Sequence, residues 1–190
     1  MGVLSHVDGV AKNLVNNWAS SALHDGGVSS AARECFEGAT AISLSVVAGR
    51  ELLIAVDDFQ QQWQKSFQHL DRSLAGKAAS TSSLYTEERM DRPSALEDVE
   101  AAYQKGDCKT LTAMPIVGDN NDVLGVVCVG LPSHVPLTSQ HVHTLETLAK
   151  ALAPHLQQYS TGTSATWDTS VFGASADMDC LPGCSSDNGG

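Results

Sequence analysis

Apolar residues recur along this chain in two periods, and the switches between them lay out its elements. Leu4, Val7, Val10, Ala11, Leu14, Val15, Trp18 and Ala22 step by three and four, which places them on one stripe of a helix. Asp25-Gly26-Gly27 supplies the turn that should end it near His24. A shorter helix fits Ser29 to Phe36, with Ser29 or Ser30 as N-cap. Ala39 to Val47 is apolar and β-branched, Ala48-Gly49 follows, and Glu51 to Val56 resumes the pattern, so this stretch predicts a hairpin. Phe59, Trp63, Phe67, Leu70 and Leu74 then step by four, four, three and four, predicting a helix whose stripe is core packing over one face of the sheet. Ser73 to Tyr85 is rich in small residues and shows no clear period, while Pro93 and Ser94 open a helix to Gln104 that Gly106 closes.

The second half is more sharply patterned. Thr110 to Val117 and Val123 to Leu131 are strongly β-prone runs separated by the turn-forming loop Gly118-Asp119-Asn120-Asn121-Asp122. A final helix starts after Pro136 with Thr138 or Ser139 as cap and carries Val142, Leu145, Leu148, Ala149, Leu152 and Leu156 on one side. Pro154 lies inside that pattern and removes a hydrogen bond to Lys150, so the last turn is expected to kink or fray. Antiparallel hairpins alternating with helices make an α+β domain, an antiparallel sheet flanked by helices.

Composition narrows the function. A chain of 190 residues, 42% of them hydrophobic, supports one domain with its own core. Its formal net charge of -11 argues against nucleic acid and anionic membranes, because 11 scattered basic residues make no phosphate-binding patch. No apolar run has the length of a membrane span, and the start MGVLSHVDG lacks the pattern of a secretory signal, so a soluble, cytoplasmic chain is expected. Gly2 fits myristoylation poorly, since His6 stands where Ser or Thr is wanted. The five cysteines are odd in number and irregularly spaced, which is no disulfide framework, and the tail pair Cys180 and Cys184 would leave a zinc ion two ligands short. Tyr159 to Gly190 is rich in Ser, Thr, Gly and Asp and has no Lys or Arg. It is expected to be a disordered acidic tail, giving a domain over 1–158 and a flexible segment over 159–190. Trp167, Val171 and Phe172 are the exception there, either a docking anchor or stray apolar residues.

Met114-Pro115-Ile116-Val117, the Asp119 to Asp122 turn, Val123-Leu124-Gly125-Val126-Val127, the Leu137-Thr138 step and the stripe from Val142 to Leu156 follow one another in an order that resembles the C-terminal signature of GAF domains. Gly125 in a bulky strand marks a bulge or a close approach, and Pro115 belongs on an edge or at a bulge. The resemblance implies a sheet whose first hairpin is Ala39 to Asp57 and whose variable segment, Ser73 to Ala102, roofs a pocket. GAF domains are regulatory modules that bind small ligands, dimerise or hold partners. The polar residues of the cyclic-nucleotide binders are replaced here by Gly130-Leu131, Leu137, His141 and Val142, and no cysteine lies between Ser73 and Gly106 to carry a bilin. The members that reduce free methionine-R-sulfoxide use several thiols near the roof, where this chain has only Cys108 beside Lys109.

Two functions follow from the resemblance. The favoured one is a non-catalytic protein-interaction and dimerisation module, a homo- or hetero-oligomeric subunit of a larger assembly in a cytoplasmic, cytoskeletal or ciliary setting. Its interface residues would be Leu14, Trp18, Leu145, Leu148 and Leu152 on the terminal helices, with Trp167 and Phe172 in the tail. The alternative is a small-molecule sensor, or a methionine-sulfoxide reductase-like enzyme, with Thr81, Ser82, Tyr85, Arg89 and Cys108 at the pocket. No catalytic residue, metal ligand or cofactor is assigned. His141 and His143 point about 200° apart on a helix, so they read as solvated or capping residues rather than a chelating pair. Glu87, Glu88, Asp91, Glu97, Asp98 and Glu100 form an acidic surface, either solvated or facing a basic partner protein.

Overall fold

The computed structural model describes residues 9, 36, 38, 39, 41–57, 67–89, 94–104 and 108–162. Among these residues, six strands form one antiparallel sheet: β1 (Ala41–Ala48), β2 (Glu51–Asp57), β3 (Phe67–His69), β4 (Tyr85–Glu88), β5 (Thr110–Val117) and β6 (Val123–Leu131). Their order across the sheet is β3-β2-β1-β6-β5-β4, so the first and last hairpins meet where β1 pairs β6. Among the described residues, α1 (Leu74–Thr81), α2 (Glu97–Gln104) and α3 (Ser139–Gly162) accompany them. The chain is thus the α+β sheet that the patterning predicts.

Both hairpins stand where the β-prone runs and their turns put them, and the β5–β6 pair matches its predicted ends residue for residue. Ile116 opposes Gly125 and Val117 opposes Val123, so Leu124 is an extra residue in β6. A Cβ on Gly125 would strike the Ser45 carbonyl of β1 and crowd Leu156 of α3. Gly125 therefore combines the bulge and the close approach that a glycine in a bulky strand signals. Pro115 sits beyond Ala113, where the ladder from β4 ends, so β5 has only β6 beside it there and the missing N–H leaves no gap.

The predicted helix over Phe59 to Leu74 is corrected in its second half. Phe67–His69 is a strand held by β2 through the pairs Glu51↔His69, Leu52↔Gln68 and Leu53↔Phe67, and the helix begins only at Leu74. Phe67, Leu70 and Leu74 keep helical spacing in sequence but belong to three different local structures, because sheet pairing overrode the local pattern. Phe59 and Trp63 lie outside the described residues, as do both N-terminal helices apart from Gly9, which is helical, and Phe36, which is buried.

Successive side chains of a strand point to opposite faces, and the two faces are filled differently. On one, Ile42, Leu44, Val46, Met114, Ile116, Val127 and Val129 meet Leu145, Leu148, Leu152 and Leu156 of α3. On the other, Ala41, Leu52, Leu111, Ala113, Val126 and Cys128 meet Leu74, Ala75 and Ala78 of α1, Leu96, and Val99 and Ala102 of α2. α3 continues past Pro154 to Gly162, so the helix reaches beyond the predicted domain limit at 158. Residues after 162 lie outside the described part.

Candidate functional site

The segment expected to roof a pocket is built on two short helices, and hydrogen bonds fix their starts. Ser73 is the N-cap of α1, accepting the Gly76 N–H on its Oγ at 2.9 Å. Asp98, in the first turn of α2, reaches across to the same place. Its Oδ1 accepts the Leu74 N–H at 2.8 Å and its Oδ2 accepts the Ala75 N–H at 3.0 Å. Asp98 thus satisfies two of the N–H groups that a helix start leaves without partners inside the helix. Oδ1 also accepts the Val99 N–H at 2.9 Å. Burial raises the Asp98 carboxyl above its ordinary value, against the lowering effect of the backbone donors of Ala75, Leu74 and Val99. The Glu97 N–H donates to the Arg72 carbonyl at 2.9 Å, a further tie between the two helix starts.

Beneath this roof the sheet presents small residues, and the helices answer with small residues of their own. Gly76 is required because a Cβ there would collide with the Leu70 carbonyl. Ala78, Ala102, Ala113 and Val126 have no exposed surface, so these small side chains are closely packed where the sheet and the roof meet.

The five predicted ligand residues do not converge under the roof. Thr81 is exposed at the end of α1 and donates its hydroxyl to the Lys77 carbonyl. Ser82 is the C-cap of α1 with φ 51 and ψ 35, its N–H returning to Ala78, so its place is explained by ending a helix. Tyr85 is half-buried against the cluster on this face and pairs with Ala113. Arg89 is exposed, and its N–H extends the β4 ladder to the Lys109 carbonyl at 2.7 Å. Cys108 alone is inside, 5% exposed, with its thiol donating to the Thr110 carbonyl at 3.4 Å.

Three interface residues need correction. Leu145, Leu148 and Leu152 have 1%, 0% and 0% exposure and pack on the domain's own sheet, so the stripe of the last helix is spent inside the fold. Leu14, Trp18, Trp167 and Phe172 lie outside the described residues. Part of the acidic surface is likewise spent internally. Besides Asp98, Glu87 accepts the Ser94 hydroxyl at 2.8 Å and Glu100 accepts the Ser94 N–H at 3.0 Å. Glu97 stands 3.8 Å from Arg72 on the surface. His141 caps as expected: its Nδ1 accepts the Thr138 N–H while the Thr138 hydroxyl accepts the His141 N–H, a reciprocal box at the start of α3.

Two buried polar residues on the roofed face carry no clear signal in the sequence. Ser45, 3% exposed, shares that face with Ala41 by strand alternation and pairs with Val126. Gln68, 8% exposed, shares it because it opposes Leu52 across β2–β3. Ser45 was hidden in an apolar run, and Gln68 in an assumed helix. Among the described residues no cluster of three or more His, Cys, Asp or Glu is placed to hold a metal ion, and no helix is long and apolar enough to cross a membrane.

Comparison with known proteins agrees with this architecture. No curated protein matches the chain in sequence. Among solved structures, the GAF domain of a two-component sensor histidine kinase from Bacillus halodurans is similar, at 16% identity and a TM-score of 0.59 over 80% of this chain and 96% of that one. The GAF domain of an Acinetobacter phosphoenolpyruvate-protein phosphotransferase matches at 14% identity and a TM-score of 0.59, over 83% of this chain and 96% of that one. The free methionine-R-sulfoxide reductase from Neisseria meningitidis, solved with its substrate, matches at 16% identity and a TM-score of 0.61, over 85% of this chain and 90% of that one. At these identities the likeness concerns the fold, which regulatory and enzymatic proteins share. The GAF domain family matches residues 41–156, the span from β1 into α3 that contains both faces of the sheet, and the chain belongs to that family.

Proposed function

We propose that this is a non-catalytic GAF-domain protein that works through protein contacts, as a homo- or hetero-oligomeric subunit of a larger assembly. The observation that carries this reading is the filled space beneath the roof, where Leu74, Ala78, Val99, Ala102, Leu111 and Ala113 meet with 1% exposure or less. A ligand pocket needs concavity and a few convergent polar groups. Thr81, Ser82 and Arg89 instead face outward, and the Cys108 thiol is bonded to a main-chain carbonyl. With the α3 leucines inside the fold, the contact residues in this reading are Leu14 and Trp18 near the start and Trp167 and Phe172 near the end of the chain. No described residue favours a cytoskeletal or ciliary setting over another.

A second reading, a small-molecule sensor, is favoured by Ser45 and Gln68, buried polar side chains on the roofed face of β1 and β3. Native mass spectrometry of the full chain isolated from its own cells separates the two. Assembly with a second copy or another protein and no retained small molecule is expected. A stoichiometric small molecule on an isolated chain would overturn the proposal in favour of the sensor. For the enzyme alternative, turnover of free methionine-R-sulfoxide that Cys108→Ser abolishes would contradict the non-catalytic reading outright.

A further inference from the structure

We propose that Asp98 is a latch that makes α1 and α2 a single cover over the small-residue face of the sheet, so that the cover opens as one piece. The observation is the direction of its hydrogen bonds. Asp98 belongs to α2, yet each carboxyl oxygen is bonded to a different N–H of the first turn of α1, from Leu74 and Ala75. These contacts join residues 24 and 23 positions apart in sequence. The Glu97 N–H to Arg72 carbonyl bond lies alongside. The starts of the two helices are therefore tied together by main-chain donors, and neither can leave the sheet alone without stripping partners from buried N–H groups.

The grip of the cover on the sheet is of another kind. α1 buries Leu74, Ala75, Gly76 and Ala78, and Leu96, Val99 and Ala102 add the share of α2 and the turn before it, so the cover mixes three larger apolar side chains with small ones. α3 buries four leucines on the opposite face. Stabilisation by burial scales with apolar area, so the cover is the element that leaves first, and local openings follow such differences in contact. Opening the cover as a unit would uncover the thiols of Cys108 and Cys128, which lie in the cluster beneath it, while α3 and its face stay closed.

Two readouts on the full chain test this: site-resolved alkylation of Cys108 and Cys128 by a maleimide, and hydrogen exchange of the α1 and α2 amides. In Asp98→Ala, which leaves the N–H groups of Leu74, Ala75 and Val99 without this acceptor, both thiols should react roughly tenfold faster or more. Peptides covering α1 and α2 should lose protection together, with α3 unchanged, and Asp98→Asn should fall between wild type and Asp98→Ala. Loss of protection in α1 alone, or acceleration of one thiol without the other, would overturn the latch. Should Asp98→Ala not fold, exchange of the wild-type chain in low urea decides the matter. One common opening of α1 and α2 below that of α3 supports the proposal, and separate openings overturn it.

Discussion

The two faces of the sheet use opposite means of holding a helix. On the α3 face, long side chains interdigitate: Leu145, Leu148, Leu152 and Leu156 enter a surface of Ile42, Leu44, Met114, Ile116, Val127 and Val129. On the other face, Leu74, Ala75 and Ala78 of α1 share a cluster with Leu111, Ala113, Val126 and Cys128 of the sheet, Gly76 lets α1 approach the Leu70 carbonyl, and the polar groups of Ser73 and Asp98 complete the helix start. The first arrangement draws on buried apolar area. The second draws on satisfied backbone donors, whose value lies mostly in what their loss would cost. The domain thus pairs a face held by long apolar side chains with one that adds satisfied backbone donors to an apolar cluster of smaller side chains.

Substitutions can break or sharpen that contrast. The largest effect is expected at Leu148, wholly inside the α3 face, where Leu148→Ala should lower the unfolding free energy in urea by about 2–5 kcal/mol. Gly125→Ala comes next, since its methyl would strike the Ser45 carbonyl between the faces, and a loss of about 1–3 kcal/mol is expected in the same measurement. On the cover, Ser82→Gly should raise stability by up to about 1 kcal/mol, because Ser82 holds a left-handed backbone at φ 51 that glycine adopts without strain. A smaller effect concerns pH. Burial raises the folded-state pKa of Asp98 above the ordinary 3.8, so the folded chain binds that proton more tightly than the unfolded one. The associated stability is fully present below 3.8 and falls as pH rises through the window up to the raised value. The margin of wild type over Asp98→Asn, read from urea midpoints across that window, should narrow as pH increases, and a widening margin would contradict the assignment.

How much of this was legible in the sequence differs between the same two faces. The α3 face announces itself: β5 and β6 are unbroken β-prone runs, and the leucines of α3 repeat at helical spacing because large side chains enforce a period. Gly125 and Pro115 could be read for the same reason, each being an exception in a bulky strand. The cover face could not be read that way. Leu74–Thr81 is mostly small residues, which carry no strong period. β3, three residues long, is too short to show alternation. Asp98 looked like one more surface acid because its partners, Leu74 and Ala75, are distant in sequence. The leucines of α3 were legible as a stripe, but a stripe does not say whether it faces the same chain or another.

Whether the domain itself fills the space beneath the cover is tested most directly at one residue. Ala113 lies on β5 beneath the cover with no exposed surface. In urea unfolding of the full chain, Ala113→Leu should cost about 1–3 kcal/mol, the effect of forcing extra volume into a packed interior. A gain in stability, the mark of a larger side chain filling a cavity, would contradict the account and return the space beneath α1 and α2 to a ligand.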